Sequence, residues 1–457
     1  MGGVNLRYDS MIVAEDTPLR VALSKIDKNQ SGAVILIDSK NKVLAIATDG
    51  DIRRRLIIDD NLEQPISNCS NADYISVTEA DTRETILKHL DARTRILPVI
   101  NERGELQRVI TRDFLRLSDQ RQVIARARAP VRISFGGGGT DLTRHFSKHG
   151  GYVVNSTIAK YSQATLQRRP DRKICVQSAD LNDLLEVDSS EDLPVKGKFG
   201  LIGSVLKLID PDFGFNLEVI SDFEPGSGLG GSAAVAAAII GCFNEFRSDK
   251  WDRYELSEIA FQAERLILNV PGGWQDQYAT VFGGFNCITF DSNRNEVTPL
   301  RLHKDAVFEL EASLILCSLG RTRSEPKFDS PKSSAEETLQ VAQDLKQAAY
   351  QMQRALLRGR VLEFGALLDK AWGMKKKLDA GASCKVVDKF YEEAMRKGAL
   401  GGKMLGAAGG GYLLLFAPPM SRENVCSKMK EMGLVCERVK FEGDGMQSWK
   451  VRVTDDE

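Results

Sequence analysis

A glycine-dense turn runs directly into an alanine-rich helix at residues 224–234, which read Glu-Pro-Gly-Ser-Gly-Leu-Gly-Gly-Ser-Ala-Ala. Glycine tolerates left-handed backbone conformations, so successive N–H groups of such a turn can converge on one point. The helix adds unpaired N–H groups and the positive end of its dipole. The segment therefore predicts a site for the triphosphate tail of a nucleotide, formed by Gly226, Ser227, Gly228, Leu229, Gly230, Gly231 and Ser232.

Residues 226–231 also match Gly-x-Gly-x-x-Gly, the pattern that opens dinucleotide-binding folds. In those folds a second strand ending in an acid follows the helix. Here the apolar helix predicted over 233–246 leads into another segment with helical spacing, residues 251–268. A dinucleotide fold is therefore disfavoured, and phosphate binding and a purely structural turn remain as interpretations.

The length of 457 residues predicts a multidomain protein of about three compact units. Its 62 basic and 63 acidic residues balance, so no overall field favours nucleic acid or an anionic membrane surface as a partner. Short basic clusters at 53–55 and 375–377 are interpreted as solvated helix faces.

Eight cysteines and four histidines are dispersed along the chain without a Cys-x-x-Cys pair. This spacing predicts neither a zinc site nor a disulfide framework. The sequence shows no charged-then-apolar leader and no apolar stretch of the roughly 20 residues that span a bilayer. We expect a soluble protein of a reducing compartment, the cytoplasm.

The first 118 residues contain an imperfect internal repeat with an offset of about 63 residues. Val13-Ala-Glu-Asp-Thr corresponds to Val77-Thr-Glu-Ala-Asp, and the segment that begins at Ala45 corresponds to the one that begins at Arg108. Each copy, at about 8–60 and 72–118, predicts a helix, two short apolar strands and a second helix. Two such copies can bury their apolar faces against each other.

This repeat resembles a CBS-domain pair over residues 1–119, in particular through the phrase Thr48-Asp-Gly-Asp-Ile-Arg-Arg54. The resemblance implies that Thr48 and Asp51 hold the ribose of an adenine nucleotide. In the second copy Thr111 matches, but Phe114 stands where the carboxylate is expected and Asp113 lies one residue early. A regulatory nucleotide site and a ligand-free module that forms a homo-oligomer both remain open.

Residues 120–127 are polar and basic and predict a linker. Beyond them, strands are predicted at 131–135, 152–157, 162–166, 217–220, 286–290, 314–319 and 411–417. Helices are predicted at 232–246, 254–268, 335–357, 361–374, 384–397 and 422–432. Strands and helices without regular alternation indicate the α+β class.

Three motifs in order resemble the GHMP family of small-molecule kinases across about 126–457. They are Ala129-Pro-Val-Arg-Ile-Ser-Phe-Gly-Gly-Gly-Gly-Thr-Asp141, the phosphate turn, and Gly402-Lys-Met-Leu-Gly-Ala-Ala-Gly-Gly-Gly411. The resemblance implies a kinase domain over 128–457 with lobes at about 128–310 and 311–457, and the substrates and cofactors ATP and Mg²⁺.

Within that family, the phrases Gly136-Gly-Gly-Gly-Thr-Asp141 and Gln275-Asp-Gln-Tyr-Ala-Thr-Val-Phe-Gly-Gly-Phe285 resemble the D-glycero-D-manno-heptose 7-phosphate kinases. This implies transfer of the ATP γ-phosphoryl group to the anomeric hydroxyl of a sugar phosphate, feeding nucleotide-sugar synthesis. A kinase of a neutral sugar such as fucose or mannose is the first alternative. A nucleotide-sensing protein with an inactive kinase half is the second.

The same resemblance assigns the transfer chemistry. Asp276 matches the catalytic aspartate, and Arg132 lies where relatives carry a cation that keeps this aspartate charged and stabilises the transferred group. Ser232 and Glu264 match the hydroxyl and carboxylate ligands of Mg²⁺, a hard ion that prefers oxygen. From the residues alone, a helix-terminal acid, a surface strand arginine and a solvated glutamate are the structural alternatives.

Sugar recognition is assigned to the glycine turn that precedes Asp141 and to the third motif. Asp141 matches an aspartate that binds sugar hydroxyls, with a turn-capping role as the alternative. Arg323 matches an arginine whose planar fork can hold a substrate phosphate, although Leu319 replaces the threonine that opens the family phrase. The remaining residues assigned to the substrate are Gly138, Gly139, Thr140, Gly409 and Gly410.

Overall fold

The computed structural model describes residues 9–91, 94–111, 123–320, 335–378, 380–406 and 411–452. They divide into two compact units, which lie within Met1–Gln120 and Arg121–Glu457. None of the helices in the described ranges combines the length and apolarity needed to cross a membrane.

The N-terminal unit repeats one hairpin. Its elements are β1 Ile12–Ala14, α1 Leu19–Asn29, β2 Ala33–Ile37, β3 Val43–Thr48, α2 Asp49–Ile58, α3 Arg83–Asp91, β4 Ile96–Ile100 and β5 Leu106–Thr111. β2–β3 and β4–β5 are antiparallel, and each pair shifts register at the end of its first strand. β1 runs parallel to β2, and a parallel bridge between Val77 and Val99 repeats that pairing in the second copy.

Both copies contribute to one apolar cluster. Ile35 and Val43 of the first hairpin pack with Ile96, Leu106 and Val109 of the second, and all five side chains are buried. Strand alternation explains this arrangement, because the residues that face away from each copy's own helices form a second apolar face. The expectation that the copies bury their faces against each other is confirmed for the described residues.

The second unit is built on a mixed sheet. Its strands are β6 Val123–Gly136, β7 Gly151–Arg168, β8 Ile174–Ser178, β9 Asp183–Val187, β10 Phe215–Ser221, β11 Phe285–Phe290, β12 Asn295–Pro299 and β17 Gln447–Arg452. The order is β12-β11-β7-β10-β8-β9, with β6 on the other edge of β7 and β17 beside β6. Helices α4 Thr143–His149, α5 Gly200–Ile209, α6 Gly231–Asn244, α7 Arg253–Phe261 and α8 Gln275–Phe282 accompany this sheet.

A smaller antiparallel sheet follows in the order β14-β15-β13-β16. Its strands are β13 Leu314–Ser318, β14 Gly401–Leu405, β15 Tyr412–Phe416 and β16 Val435–Arg438. The accompanying helices are α9 Lys304–Ser313, α10 Ala335–Leu357, α11 Val361–Leu378, α12 Lys385–Arg396 and α13 Pro419–Glu431. Separate strand-rich and helix-rich parts make the chain α+β, as the sequence predicts.

Helix α6 lies at the centre of the second unit. Its alanines and isoleucines are buried on nearly every side, and it packs on β6, where Ala125, Ala127 and Ala129 are buried too. Small side chains on both surfaces let the helix approach the strand closely. This contact fixes the position of the N-terminus of α6 relative to β6, and with it the position of the glycine turn.

Some sequence-based boundaries are wrong. β6 begins at Val123, so residues 123–127 pair with β7 and β17 instead of forming a linker. Small alanines alternate there with arginines, a strand period that the basic composition conceals. β17 pairs with β6 in the first sheet, although the sequence assigns residues 447–452 to the C-terminal lobe. The sequence does not predict this pairing because pairing between distant segments leaves no local signal. The helix predicted at 254–268 ends as α7 at Phe261, where a π-helical turn, Gln262–Ile267, takes over.

Candidate active site

The glycine turn forms an open cup of backbone N–H groups. Gly226, Gly228 and Gly230 have φ of 79°, 75° and 75°, the left-handed region that favours glycine. Gly230 is the N-cap of α6, and no side chain among the described residues caps this end. The first N–H groups of the helix therefore remain available to an anion.

Close packing explains two of these glycines. A Cβ on Gly228 would lie 2.1 Å from the carbonyl oxygen of Leu405, because β14 passes directly behind the turn. A Cβ on Gly231 would lie 2.4 Å from the ring of Phe223, so a larger residue at position 231 would displace that ring. The turn is thus held from behind by the third glycine motif and by Phe223, and its N–H groups are kept in place.

Arg132 joins the turn to Asp276. Its guanidinium donates to Asp276 Oδ1 from Nε at 2.9 Å and to the carbonyl of Gly228 from Nη1 at 2.9 Å. A second contact, from Nη2 to the same carboxylate oxygen, measures 2.6 Å. The Asp276 side chain is 18% exposed and that of Arg132 is 9% exposed, so the pair is shielded yet reachable. The carboxylate predicted as the base therefore lies beside the predicted phosphate cup.

Glu264 lies on the π-helical turn next to the N-terminus of α6. It is 2% exposed, and its Oε1 accepts a short hydrogen bond from the Ser232 hydroxyl. Arg265 Nη1 lies 3.1 Å from the same oxygen, and Gln277 Nε2 donates to Oε2 at 2.5 Å. π-Helical turns often occur at functional sites, since the extra residue redirects one side chain.

The donor set at Ser232 and Glu264 fits a hard divalent cation. A hydroxyl and a carboxylate next to a phosphate cup provide the oxygen ligands that Mg²⁺ shares with triphosphate oxygens and water. The described part of the chain contains no cluster of three or more His, Cys, Asp or Glu side chains that could hold a metal by itself. The residues thus suit an ion that arrives with a nucleotide.

The loop that carries Asp141 is held by backbone contacts. Asp141 is 3% exposed, and its carboxylate accepts from the N–H of Gly139 at 2.8 Å and from that of Gln275 at 3.3 Å. A Cβ on Gly273 would lie 1.9 Å from Asp141 Oδ2, so only glycine allows this close approach. Asp141 therefore combines the turn-capping role with a position at the predicted sugar site.

Thr140 and Gly138 differ in their surroundings. The Thr140 hydroxyl is fully buried, donates to the Gly137 carbonyl at 2.7 Å and accepts from the Tyr152 N–H at 3.1 Å. We therefore interpret Thr140 as holding the loop and revise the predicted contact with substrate. A Cβ on Gly138 would lie 3.4 Å from Ser134 Oγ and 3.5 Å from Gln275 Nε2. Ser134 Oγ and the other end of that amide, Gln275 Oε1, are buried without hydrogen-bond partners among the described residues. Such atoms are costly to bury and mark places where a polar ligand can bind.

Consecutive residues of α8 connect the predicted motifs. The N–H of Gln275 reaches Asp141, the carboxylate of Asp276 reaches Arg132, and the amide of Gln277 reaches Glu264. The sequence assigns a role only to Asp276 in this turn. The glutamines on either side link the predicted sugar loop and the predicted metal ligands to the same helix end.

Two lysines to which the sequence assigns no role lie at the predicted sugar loop, the glycine turn that precedes Asp141. Lys375 and Lys403 line a small cavity together with Trp372 and the glycines at 136–138. Desolvation lowers the pKa of Lys403 to about 7, the charges of Lys375 and Arg132 add to the effect, and Asp141 opposes it. The interpretation of 375–377 as a solvated face is wrong for Lys375, whose ammonium would lie 3.4 Å from a Cβ on Gly139.

In the N-terminal unit, Thr48 and Asp51 bind each other. Thr48 is the N-cap of α2, its hydroxyl lies 2.6 Å from Asp51 Oδ2, and the pair forms a complete capping box. Thr111 ends β5 and is buried. A cavity of about 690 Å³ lies elsewhere in this unit, with Asp9, Glu15 and Asp16 in its lining. The nucleotide role of the two threonines and Asp51 stays a prediction.

Several predicted residues lie outside the described ranges. They are Arg323, Gly409 and Gly410 of the substrate set, and Asp113 and Phe114 of the second repeat.

Comparison with protein families agrees with both predicted resemblances. The GHMP kinases N-terminal domain matches residues 200–284, and the GHMP kinases C-terminal domain matches residues 352–434. The CBS domain matches residues 5–58.

Individual proteins extend these matches. The chain is 35% identical over 336 residues to D-glycero-alpha-D-manno-heptose 7-phosphate kinase of Campylobacter jejuni, covering 71% of this chain and 99% of that protein. It is 30% identical over 335 residues to L-fucokinase/L-fucose-1-P guanylyltransferase of Bacteroides fragilis, covering 66% of this chain and 35% of that longer protein. The crystal structure of a D-glycero-D-manno-heptose 1-phosphate kinase from Bacteroides thetaiotaomicron superposes with a TM-score of 0.62 at 30% identity, covering 72% of this chain and 100% of that one.

Proposed function

Because the chain belongs to the GHMP kinase family, we propose that it transfers the γ-phosphoryl group of ATP to the anomeric hydroxyl of a sugar phosphate. The substrate is D-glycero-D-manno-heptose 7-phosphate and the product the 1,7-bisphosphate. One observation carries the proposal: Arg132 contacts both the carboxylate of Asp276 and the carbonyl of Gly228, so the base lies beside the cup for the triphosphate. The relatives named above support the substrate class.

The chemistry follows from these positions. The N–H groups at the start of α6 hold the triphosphate, and the sugar lies on the loop of Asp141 with its anomeric hydroxyl towards Asp276. The hydroxyl oxygen bonds to the γ-phosphorus, its proton passes to an Asp276 carboxylate oxygen, and the bond from phosphorus to the bridging oxygen breaks to release ADP. Arg132 orients Asp276 and offsets negative charge on the group in transit.

Ser232 and Glu264 are the residues that would hold Mg²⁺. The ion would neutralise part of the charge on the phosphate oxygens. Gln277 and Arg265 keep the Glu264 carboxylate oriented towards Ser232.

A paired substrate panel tests the proposal. Wild-type protein is given ATP with D-glycero-D-manno-heptose 7-phosphate, mannose 6-phosphate, and the unphosphorylated forms of both sugars, and ADP release is followed. We expect a kcat/KM at least about tenfold higher for a phosphorylated sugar, since a charge-assisted hydrogen bond is worth about 1.5–3 kcal/mol. Faster turnover of neutral fucose or mannose would favour a neutral-sugar kinase, which the fucokinase similarity also allows. No ADP with any sugar would indicate the inactive sensor.

The variant Arg323→Ala, assayed with the same sugars, tests the role of this arginine in binding the substrate phosphate. The resemblance assigns Arg323 to the substrate phosphate, so its loss should raise KM for phosphorylated sugars and leave neutral sugars unchanged. An equal effect on both would remove Arg323 from the phosphate site.

The N-terminal unit is proposed to bind a regulatory nucleotide. Calorimetric titration of the full chain and its Asp51→Ala variant with AMP and a GDP-sugar tests this role. Heat that disappears in the variant would support it, and no heat from either protein would leave the unit a structural module.

A further inference from the structure

Lys403 brings a positive charge into the candidate site without a carboxylate partner of its own. It lies on β14, two residues before Leu405, whose carbonyl contacts the phosphate turn. Within the described ranges, no hydrogen bond or ion pair joins its ammonium to another residue, and Asp141 is the acid whose charge it feels. A desolvated charge is normally paired, so this ammonium is suited to bind an anion.

Lys375 faces the same place from the end of α11. The last turn of this helix carries Lys375, Lys376 and Lys377, of which only Lys375 is partly buried. Its ammonium lies over the backbone of Gly139, the residue whose N–H binds Asp141. The cation is therefore beside the loop assigned to the sugar.

Trp372 supplies an independent indication of a ligand site. It lies one turn before Lys375 on α11, lines the same cavity and is 2% exposed. Its indole Nε1 has no hydrogen-bond partner among the described residues, although buried tryptophan N–H groups usually find one. The cavity has about 10 Å³ of free space, and the flexible side chains of Lys375 and Lys403 form part of its lining.

The geometry points to a subsite, formed by Lys375, Lys403 and Trp372 beside the Asp141 loop, that binds the phosphate group carried by the acceptor sugar. The inference rests on the proposed function and names three residues that contribute to selecting a phosphorylated over a neutral sugar. The triphosphate has its own donors in the cup at 226–232, where Arg132 is already matched by Asp276. Two further cations at the sugar loop therefore suit a second, separate phosphate.

Steady-state kinetics of Lys375→Met tests the subsite, with Lys377→Met as the matched control on the exposed face of the same helix. Both variants and wild type are assayed with a phosphorylated sugar, its neutral counterpart and ATP. We expect Lys375→Met to raise KM for the phosphorylated sugar about 10- to 100-fold, the loss of a hydrogen bond to a charged group. KM for ATP and for the neutral sugar should stay within about twofold of wild type, and Lys377→Met should match wild type throughout.

Lys403→Met provides a second, internal variant, and its thermal unfolding shows whether it folds. It should show the same substrate-specific increase in KM. A rise in KM for ATP would assign the lysines to the triphosphate, and an equal rise for both sugars would assign them to the sugar ring. Either result overturns the subsite.

Failure of the subsite and failure of the proposed function differ in the wild-type assay. Wild type that turns over a sugar phosphate, with Lys375→Met keeping the same KM, overturns the subsite alone. Wild type that acts only on neutral sugars overturns the proposed function, and the subsite with it.

Discussion

Two ends of the candidate site differ in how completely their side chains are partnered. At the transfer end, Arg132, Asp276, Ser232 and Glu264 contact one another or the backbone within hydrogen-bond distance. At the acceptor end, Ser134, Gln275 and Trp372 each bury a polar atom without a hydrogen-bond partner among the described residues.

Under the proposed function, this difference corresponds to the different requirements of catalysis and of substrate recognition. Groups that stabilise charge in a transition state act best when the protein has already oriented them, so that reaction requires no reorganisation. Groups that recognise a substrate must offer unfilled hydrogen-bonding capacity to it. Under the proposed function, the fold preorganises the transfer end, and binding of the substrate would complete the acceptor end.

Removing the carboxylate at the transfer end should have the largest effect. In Asp276→Asn the amide can still accept from Arg132 but cannot take up a proton. We expect kcat to fall about 10²- to 10⁴-fold with KM values nearly unchanged, as for loss of a general base. ADP release with a saturating sugar phosphate measures it. A kcat within about twofold of wild type would contradict a catalytic role for Asp276.

Arg132→Lys tests the preorganisation of this end. A lysine keeps the charge but cannot hold Asp276 and the Gly228 carbonyl with one planar fork. A drop in kcat of about 10²- to 10³-fold is expected, the usual effect of removing one positioned donor. Stopped-flow measurement of the phosphoryl-transfer step checks this expectation. An unchanged rate would show that a positive charge at position 132 is sufficient without the planar fork of an arginine.

The acceptor end should respond to pH. Because the pKa of Lys403 is lowered to about 7 by desolvation and by Lys375 and Arg132, against Asp141, its ammonium is lost as pH rises above 7. The substrate phosphate, with a second pKa near about 6, stays dianionic there. KM for the phosphorylated sugar should thus rise about tenfold between pH 7 and pH 9, the value of one charged hydrogen bond. Lys403→Met should show a flat profile.

The lowered pKa of Lys403 also makes the free energy of unfolding depend on pH. The unfolded chain holds the Lys403 proton up to about pH 10.4, so it binds more protons than the folded chain between about pH 7 and that value. Stability of ligand-free wild type relative to Lys403→Met should therefore increase with pH across this window. Urea unfolding at pH 7 and pH 9 compares the two. A constant difference would show that the folded lysine has an ordinary pKa.

Ser134→Ala should have the smallest effect and the most distinctive one. Since the hydroxyl is buried without a partner, its removal should leave the free energy of unfolding unchanged or slightly increased. KM for the sugar should rise about 3- to 10-fold, the value of one neutral hydrogen bond. Thermal unfolding and kinetics together check this pair. A clear loss of stability would mean that the acceptor end is already partnered without ligand.

The sequence predicts the fold class, the paired hairpins and the phosphate turn, because these depend on local patterns. Glycine spacing before an alanine-rich helix and a fixed-offset repeat are both readable along the chain. The placement of Arg132 beside Asp276 rests on family resemblance, since 143 intervening residues separate them.

Other features could not be read locally. Lys375 and Lys377 belong to one run of three lysines, and the packing of α11 against the Asp141 loop separates their environments. Lys403 lies within the third motif, whose glycines alone are assigned to the substrate. A single lysine produces no periodic pattern that would indicate a role for its charge. The return of β17 to the first sheet depends on long-range pairing, which the pattern of six residues cannot encode.

Product analysis tests the central claim most directly. D-glycero-D-manno-heptose 7-phosphate labelled with ¹³C at C1 is incubated with ATP, Mg²⁺ and the full chain, and ³¹P NMR is recorded. A new phosphate signal coupled to the labelled carbon, appearing in step with ADP, is the expected result. ADP accompanied only by inorganic phosphate, or by phosphate on another carbon, would contradict transfer to the anomeric hydroxyl.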